Sequence, residues 1–168
     1  DGFQHVTRIN DRNMMAWRYV ADNLLNLGRS REAVEVYERA VSDADIAKQA
    51  PVWANKGHAH YNLEEWEKAV TSYDRSLSIV RENEMATRHK AKALKHLAKH
   101  VDSIRAWNDL LRLAPKDEEA WRYKAESYTA LKKFDDAIRC YNRLIKVKPK
   151  DADLRYLKGT ALEELQKW

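Results

Sequence analysis

A 34-residue period constrains this chain more than any other feature of its sequence. Residues 14–49, 50–83, 84–117 and 118–151 align beneath one another, their starts 36, 34 and 34 residues apart. A fifth register begins at Ala152. Trp17, Trp53 and Trp121 stand at position 4 of their units, with Thr87 there in the third and Arg155 in the fifth. Ala33, Ala69 and Ala137 share position 20, and Ser103 takes that place in the third unit. Tyr37, Tyr73, Trp107 and Tyr141 share position 24; Pro115 and Pro149 share position 32. A period of this length marks a stack of one supersecondary unit, each copy burying the face of its neighbour.

Each unit reads as two amphipathic helices. The first unit runs through Met14–Leu27, breaks at Gly28, Arg29 and Ser30, and resumes over Arg31–Ser42. Apolar residues recur three and four apart in both segments, which is the helical period. In the fourth unit Trp121, Ala125 and Tyr128 form one stripe, and Ala137, Tyr141 and Leu144 form the stripe of its partner. Small residues at position 8 (Ala21, Gly57, Ala91, Ala125, Gly159) and at position 20 let the two helices approach. Aromatic residues at positions 4 and 24 fill the space around that contact. Pro115 and Pro149 end the second helices of their units, since proline cannot continue a helix. The first unit has two extra residues and no proline, which predicts a longer second helix.

Composition agrees. Only four glycines and three prolines interrupt 168 residues, while charged residues reach 34%. Few breakers with many charges point to an all-helical chain. One cysteine, Cys140, cannot form an internal disulfide, which favours a reducing, cytoplasmic setting. No stretch nears the ~20 apolar residues of a membrane span, and no secretory signal opens the chain.

The pattern resembles the tetratricopeptide repeat (TPR) family, with W at 4, G or A at 8, Y at 11, A at 20, F or Y at 24, A at 27 and P at 32. "EEAWRYKAESYTALKKFDDAIRCYNRLIKVKPKD", residues 118–151, carries it best, and the third unit carries it least. The W-x-x-K-G and W-x-x-K-A runs in "WANKGHAHY" and "WRYKAESY" are similar to prokaryotic, especially archaeal, members. The resemblance implies an all-α solenoid, a right-handed superhelix with first helices on the concave side. It also implies a non-catalytic scaffold that binds a segment of another protein.

The register places Phe3, Val6 and Ile9 at positions 24, 27 and 30, so residues 1–13 read as the tail of a preceding second helix. Residues 152–168, with Trp168 at position 17, read as a lone first helix or cap. The expectation is one domain: four complete repeats, cut from a longer array at both ends.

Positions 2, 5, 9 and 12 or 13 of each first helix share the face turned away from its partner. The expected partner contacts on that face are Arg18, Asn55, His58, Arg88, Lys92, Lys95 and Arg122, giving a groove basic in the middle and acidic toward the C-terminal end. Such cations pair with carboxylates of an extended or helical segment; a solvated helix face is the alternative. The family's carboxylate clamp for chaperone tails is not reproduced. Its places hold Arg18, Asp22, Asn55, Met85 and His89, of which only Asn55 matches, and Asp22 opposes a carboxylate.

Lys56, Lys90, Lys124 and Lys158 repeat at position 7. Lysine stems lying on neighbouring helices with the ammonium groups in water are the simpler account; a ladder for an anionic partner is the other. Self-assembly through the end repeats and single-stranded nucleic-acid binding by the basic third repeat are further readings. The +5 net charge is modest for the latter, although "VYERAV" is similar to half-a-tetratricopeptide repeats of RNA-processing assemblies. The six histidines form no convincing metal set, and no phosphate loop or catalytic motif is present. No cofactor is expected. Cys140 reads as a packing residue.

Overall fold

A computed structural model describes residues 14–166, and the side chains from residue 16 onward. The expected tail helix in residues 1–13 and the placement of Trp168 lie outside the described residues. Nine α-helices and no strand are found among the described residues. They are α1 (Met14–Asn26), α2 (Ser30–Ala40), α3 (Ala50–Asn62), α4 (Trp66–Ile79), α5 (Glu84–His96), α6 (His100–Leu113), α7 (Glu118–Ala130), α8 (Phe134–Val147) and α9 (Ala152–Gln166). Odd-numbered helices begin repeats and even-numbered helices complete them. The chain forms two compact units that meet within α5, one ending at His89 and the other beginning at Lys90.

The turn inside each repeat uses one device four times. Gly28, Glu64, Ala98 and Lys132, all at position 15, adopt φ of +75°, +59°, +54° and +57°. The next amide then donates back five residues: Arg29 N to Leu24 O, Glu65 N to His60 O, Lys99 N to Leu94 O and Lys133 N to Tyr128 O. This left-handed cap satisfies carbonyls that the helix end leaves open. Only Gly28 announces it in the sequence. The next repeat starts from position 34, where Asn83, Asp117 and Asp151 accept from the amides of Ala86, Ala120 and Leu154 at 3.0, 2.7 and 3.1 Å.

Position 24 packs on position 8 as the pattern requires. Tyr37, Tyr73 and Trp107 are completely buried, as are Ala21, Ala91 and Ala125. Gly57 is the tightest case: a Cβ there would lie 2.7 Å from Tyr73 Cε1. Gly159 holds the same position on α9, the last of the described helices, and a Cβ there would meet nothing within 4 Å. In the third repeat the buried Ser103 hydroxyl donates to Ala91 O at 2.9 Å. Thr87, standing where tryptophan is expected, donates to Asn83 O at 2.8 Å. The departures of that repeat are thus polar groups with partners, which makes their burial tolerable.

The longer second helix expected in the first repeat does not form. α2 ends at Ala40 and the extra residues turn instead. Ser42 Oγ donates to Arg39 O at 2.6 Å, and Asp43 Oδ1 accepts from the amides of Asp45 and Ile46 at 2.9 and 3.0 Å. These side chains offer the backbone an alternative to the helix. Ile46, 3% exposed, then anchors the turn in the core.

Candidate functional site

Tryptophan at position 4 ties the second and fourth repeats to the segment before them. Trp53 Nε1 donates to Ala47 O at 2.8 Å and Trp121 Nε1 to Pro115 O at 3.0 Å. Arg155, holding that position in the fifth register, donates to Pro149 O through its guanidinium. These links set one first helix beside the next, and the groove residues follow from that placement.

In the first unit, Asp22 is the centre. Tyr37 OH donates to its Oδ1 at 2.5 Å, Asn55 Nδ2 donates to the same oxygen at 2.9 Å, and Arg18 Nε lies 3.7 Å from Oδ2. Arg18 Nη1 also donates to Gln49 Oε1 at 2.6 Å. Burial and the hydrogen bond to Asp22 push the Tyr37 phenol well above its usual range, so it remains a donor. Arg18 and Asn55 are therefore brought together, but around a carboxylate of the chain itself. His58 lies against His89 with centroids 4.1 Å apart and the rings tilted by 34°, and meets the Tyr73 ring edge-on at 5.9 Å. Tyr61 stacks on the other side of the cluster, 5.6 Å from His89. Burial holds the His58 imidazole below its ordinary pKa, which favours the neutral form. Arg88 is half-buried on α5.

In the second unit the expected cations converge on α7. Lys92 Nζ lies 2.7 Å from Glu119 Oε1, Lys95 pairs with Glu126 Oε2, and Arg122 Nε lies 3.9 Å from Glu126 Oε1. Tyr123 sits among them. It stacks on Trp107 with centroids 5.4 Å apart, and Lys95 and Lys92 Nζ approach its ring centroid at 4.3 and 5.6 Å. Beside it opens a cleft of about 420 Å³, bordered by Arg122, Tyr123, Glu126, Leu144, Lys148 and Leu154. The basic middle and acidic end expected from the sequence thus meet as ion pairs, because side chains at positions 9 and 12 of α5 reach positions 2 and 9 of α7. Glu119, Glu126 and Tyr123 lie on the expected face but were not among the expected partner contacts.

The position-7 lysines depart from the simpler expectation at Lys56 and Lys124, whose ammonium groups lie over tryptophan rings of their own helices, that of Lys56 being largely withdrawn from water. Lys56 Nζ lies 5.5 Å from the Trp53 centroid and 3.8 Å from Glu38, and Lys124 Nζ lies 4.8 Å from that of Trp121. From position 26 an arginine reaches each of these two rings, Arg75 over Trp53 at 6.0 Å and Arg143 over Trp121 at 4.6 Å, and Arg39 lies over Trp17 at 5.3 Å, where position 7 is Val20. Where Thr87 replaces tryptophan, position 26 is Asp109. That pairing was visible in the sequence, once position 26 was aligned with position 4.

Helical hairpins with small residues at the crossing and a pinned junction define a repeat scaffold with grooved faces. The chain belongs to the tetratricopeptide repeat family: a family model described as tetratricopeptide repeat matches residues 14–84 and 90–138, and one described as TPR repeat matches residues 125–166. No curated protein sequence matches the chain. Among solved structures it is similar to YrrB, described as a TPR protein with an unusual peptide-binding site. That similarity has a TM-score of 0.81 and 16% identity, covering 99% of this chain and 84% of that one. It is also similar to MamA of Desulfovibrio magneticus RS-1, with a TM-score of 0.75, 17% identity and 93% of each chain covered. A MamA structure designated AMB-1 gives a TM-score of 0.81 at 18% identity, covering 94% and 85%. At these identities the likeness speaks for the fold. Among the described residues no helix is long and apolar enough to cross a membrane.

Proposed function

We propose that the chain is a non-catalytic protein-interaction scaffold, and that its first-helix faces seat an extended or helical segment of another protein. In the second unit the contacts are Lys92, Lys95 and Arg122; in the first they are Arg18, Asn55, His58 and Arg88. The observation that carries this reading is the Tyr123 cleft. An aromatic ring backed by Trp107 lies among cations and carboxylates whose pairs remain partly exposed, with side-chain exposures of 22% and 40% for Lys92 and Glu119. Pairs in such surroundings contribute little to folding and exchange readily for a ligand's charges. The flat ring supplies contact area at low entropic cost. YrrB, which shares the fold, is described as having a peptide-binding site, and that supports the reading.

Selection of displayed random peptides on the immobilised protein tests it. Enriched peptides should bind at least tenfold more weakly to Tyr123→Ala and to Arg122→Glu, each checked for unchanged helicity. Failure to enrich any sequence, or equal binding by both variants, removes the cleft as the site.

A second reading, self-association, is favoured by the exposure of Tyr156 (75%) and Leu162 (39%) on α9. A dilution series by light scattering that shows a monomer throughout eliminates it.

A further inference from the structure

α7 presents a second face. At 100° per residue, Trp121, Lys124 and Tyr128 point away from Glu119, Arg122 and Glu126. With α8 they border an open cleft of about 580 Å³ that includes Arg139, Arg143, Lys146 and Val147. The Trp121 ring forms its apolar wall. Arg143 Cζ and Lys124 Nζ lie 4.6 and 4.8 Å from that ring's centroid, and Lys124 also faces Tyr128 at 5.8 Å. Val147, 63% exposed, adds an uncovered apolar side chain at the end of α8.

The charge here differs in kind from that of the inner cleft. Lys92, Lys95 and Lys148 have Glu119, Glu126 and Glu118, and on α6 Arg105 and Arg112 have Asp102 and Asp109. In the outer cleft only Arg139 has a carboxylate partner, Asp136 at 3.2 Å. Among the described residues none is paired with Lys124, Arg143 or Lys146. A guanidinium lying on an aromatic ring still offers N–H donors to a carboxylate, and the ring fixes its orientation beforehand.

We propose that this outer cleft is a second binding site, which takes an acidic peptide segment. Carboxylates of the segment reach Arg143, Lys124 and Lys146, while an apolar side chain lies against Val147. A peptide fits better than a nucleic acid because the exposed Val147 side chain stands beside these cations and the Asp136 carboxylate lies within the cleft itself. A nucleic-acid strand needs a basic track along its backbone, and on α6 and the inner face of α7 carboxylates interrupt any such track. The site is separate from the inner cleft and does not depend on it.

The test uses a fluorescein-labelled glutamate-rich peptide carrying one leucine, followed by anisotropy at low salt and mapped by heteronuclear NMR. The expected result is binding that shifts the Trp121 indole N–H resonance. Arg143→Glu with Lys146→Glu should weaken it at least tenfold, and Arg122→Glu should leave it within about twofold. Both outer side chains are exposed, and the wild-type resonance map locates the site without any variant. No binding, shifts confined to the inner cleft, or equal binding by the double variant overturns the proposal. So does tighter binding of a single-stranded oligonucleotide of equal charge, or a dimer that the double variant abolishes.

Discussion

Position 8 holds glycine twice, and alanine there should have opposite effects. At Gly57 the new methyl would lie 2.7 and 2.8 Å from Tyr73 Cε1 and Cδ1 and 3.1 Å from Cζ. The ring cannot swing aside. Tyr73 is completely buried, and the imidazoles of His58 and His89 meet it edge-on at 5.9 and 6.2 Å. Relief must therefore come from separating α3 and α4, an overpacking cost of about 1–3 kcal/mol. Alanine regains about 1 kcal/mol of helix propensity, which leaves Gly57→Ala destabilising by about 1 kcal/mol at the middle of that range. At Gly159 nothing lies within 4 Å, so Gly159→Ala keeps only the gain and should stabilise by up to about 1 kcal/mol. Urea unfolding followed by circular dichroism reads the difference. Tyr73→Leu should abolish the cost of Gly57→Ala in a double-mutant cycle. If Gly57→Ala stabilises as much as Gly159→Ala, the close helix crossing argued for the second repeat is wrong.

Stability should fall on acidification below about pH 6.5, because burial lowers the pKa of His58 and of His60, the latter against the opposing pull of Glu65. The unfolded chain then takes up protons first, so stability is complete above the unfolded value and declines as pH drops through the folded ones. His58→Phe should flatten the urea midpoint against pH between 7 and 5, and a midpoint constant in the wild type contradicts the assignment. Lys132→Gly and Ala98→Gly should each stabilise by roughly 1 kcal/mol, since φ is +57° and +54° there; a loss of stability in thermal melts counts against the left-handed cap. Cys140, 3% exposed and with its thiol pKa raised by burial, should resist iodoacetamide in the native protein and react once urea unfolds it. Rapid native alkylation contradicts its burial.

Much of the fold was legible because a repeat states its packing rule several times over. Tyr37, Tyr73, Trp107 and Tyr141 share one register and all lie buried. The turns were less legible: Glu64, Ala98 and Lys132 carry no turn signal of their own, and the backbone is held at positive φ by the carbonyls it must satisfy. The turn after α2 overturned an expectation, although Ser42 and Asp43 are the residue types that compete with a helix for backbone groups. The site was legible as a face but not as a charge pattern. Lys95 and Glu126 stand 31 residues apart and meet only because the hairpins stack. The coupling of tryptophan at position 4 to arginine at position 26 lay in the aligned repeats, and its meaning needed the ring geometry.

The central claim is that a partner segment lies against the first-helix face of the second unit. Photo-crosslinking tests it most directly, with benzoylphenylalanine placed at Arg122, beside the Tyr123 cleft, or at Arg105, a 75% exposed side chain on α6. The account predicts that a defined partner is captured in cells from position 122 and not from position 105. Capture from position 105 alone, or from neither while the intact protein still copurifies with a partner, contradicts it.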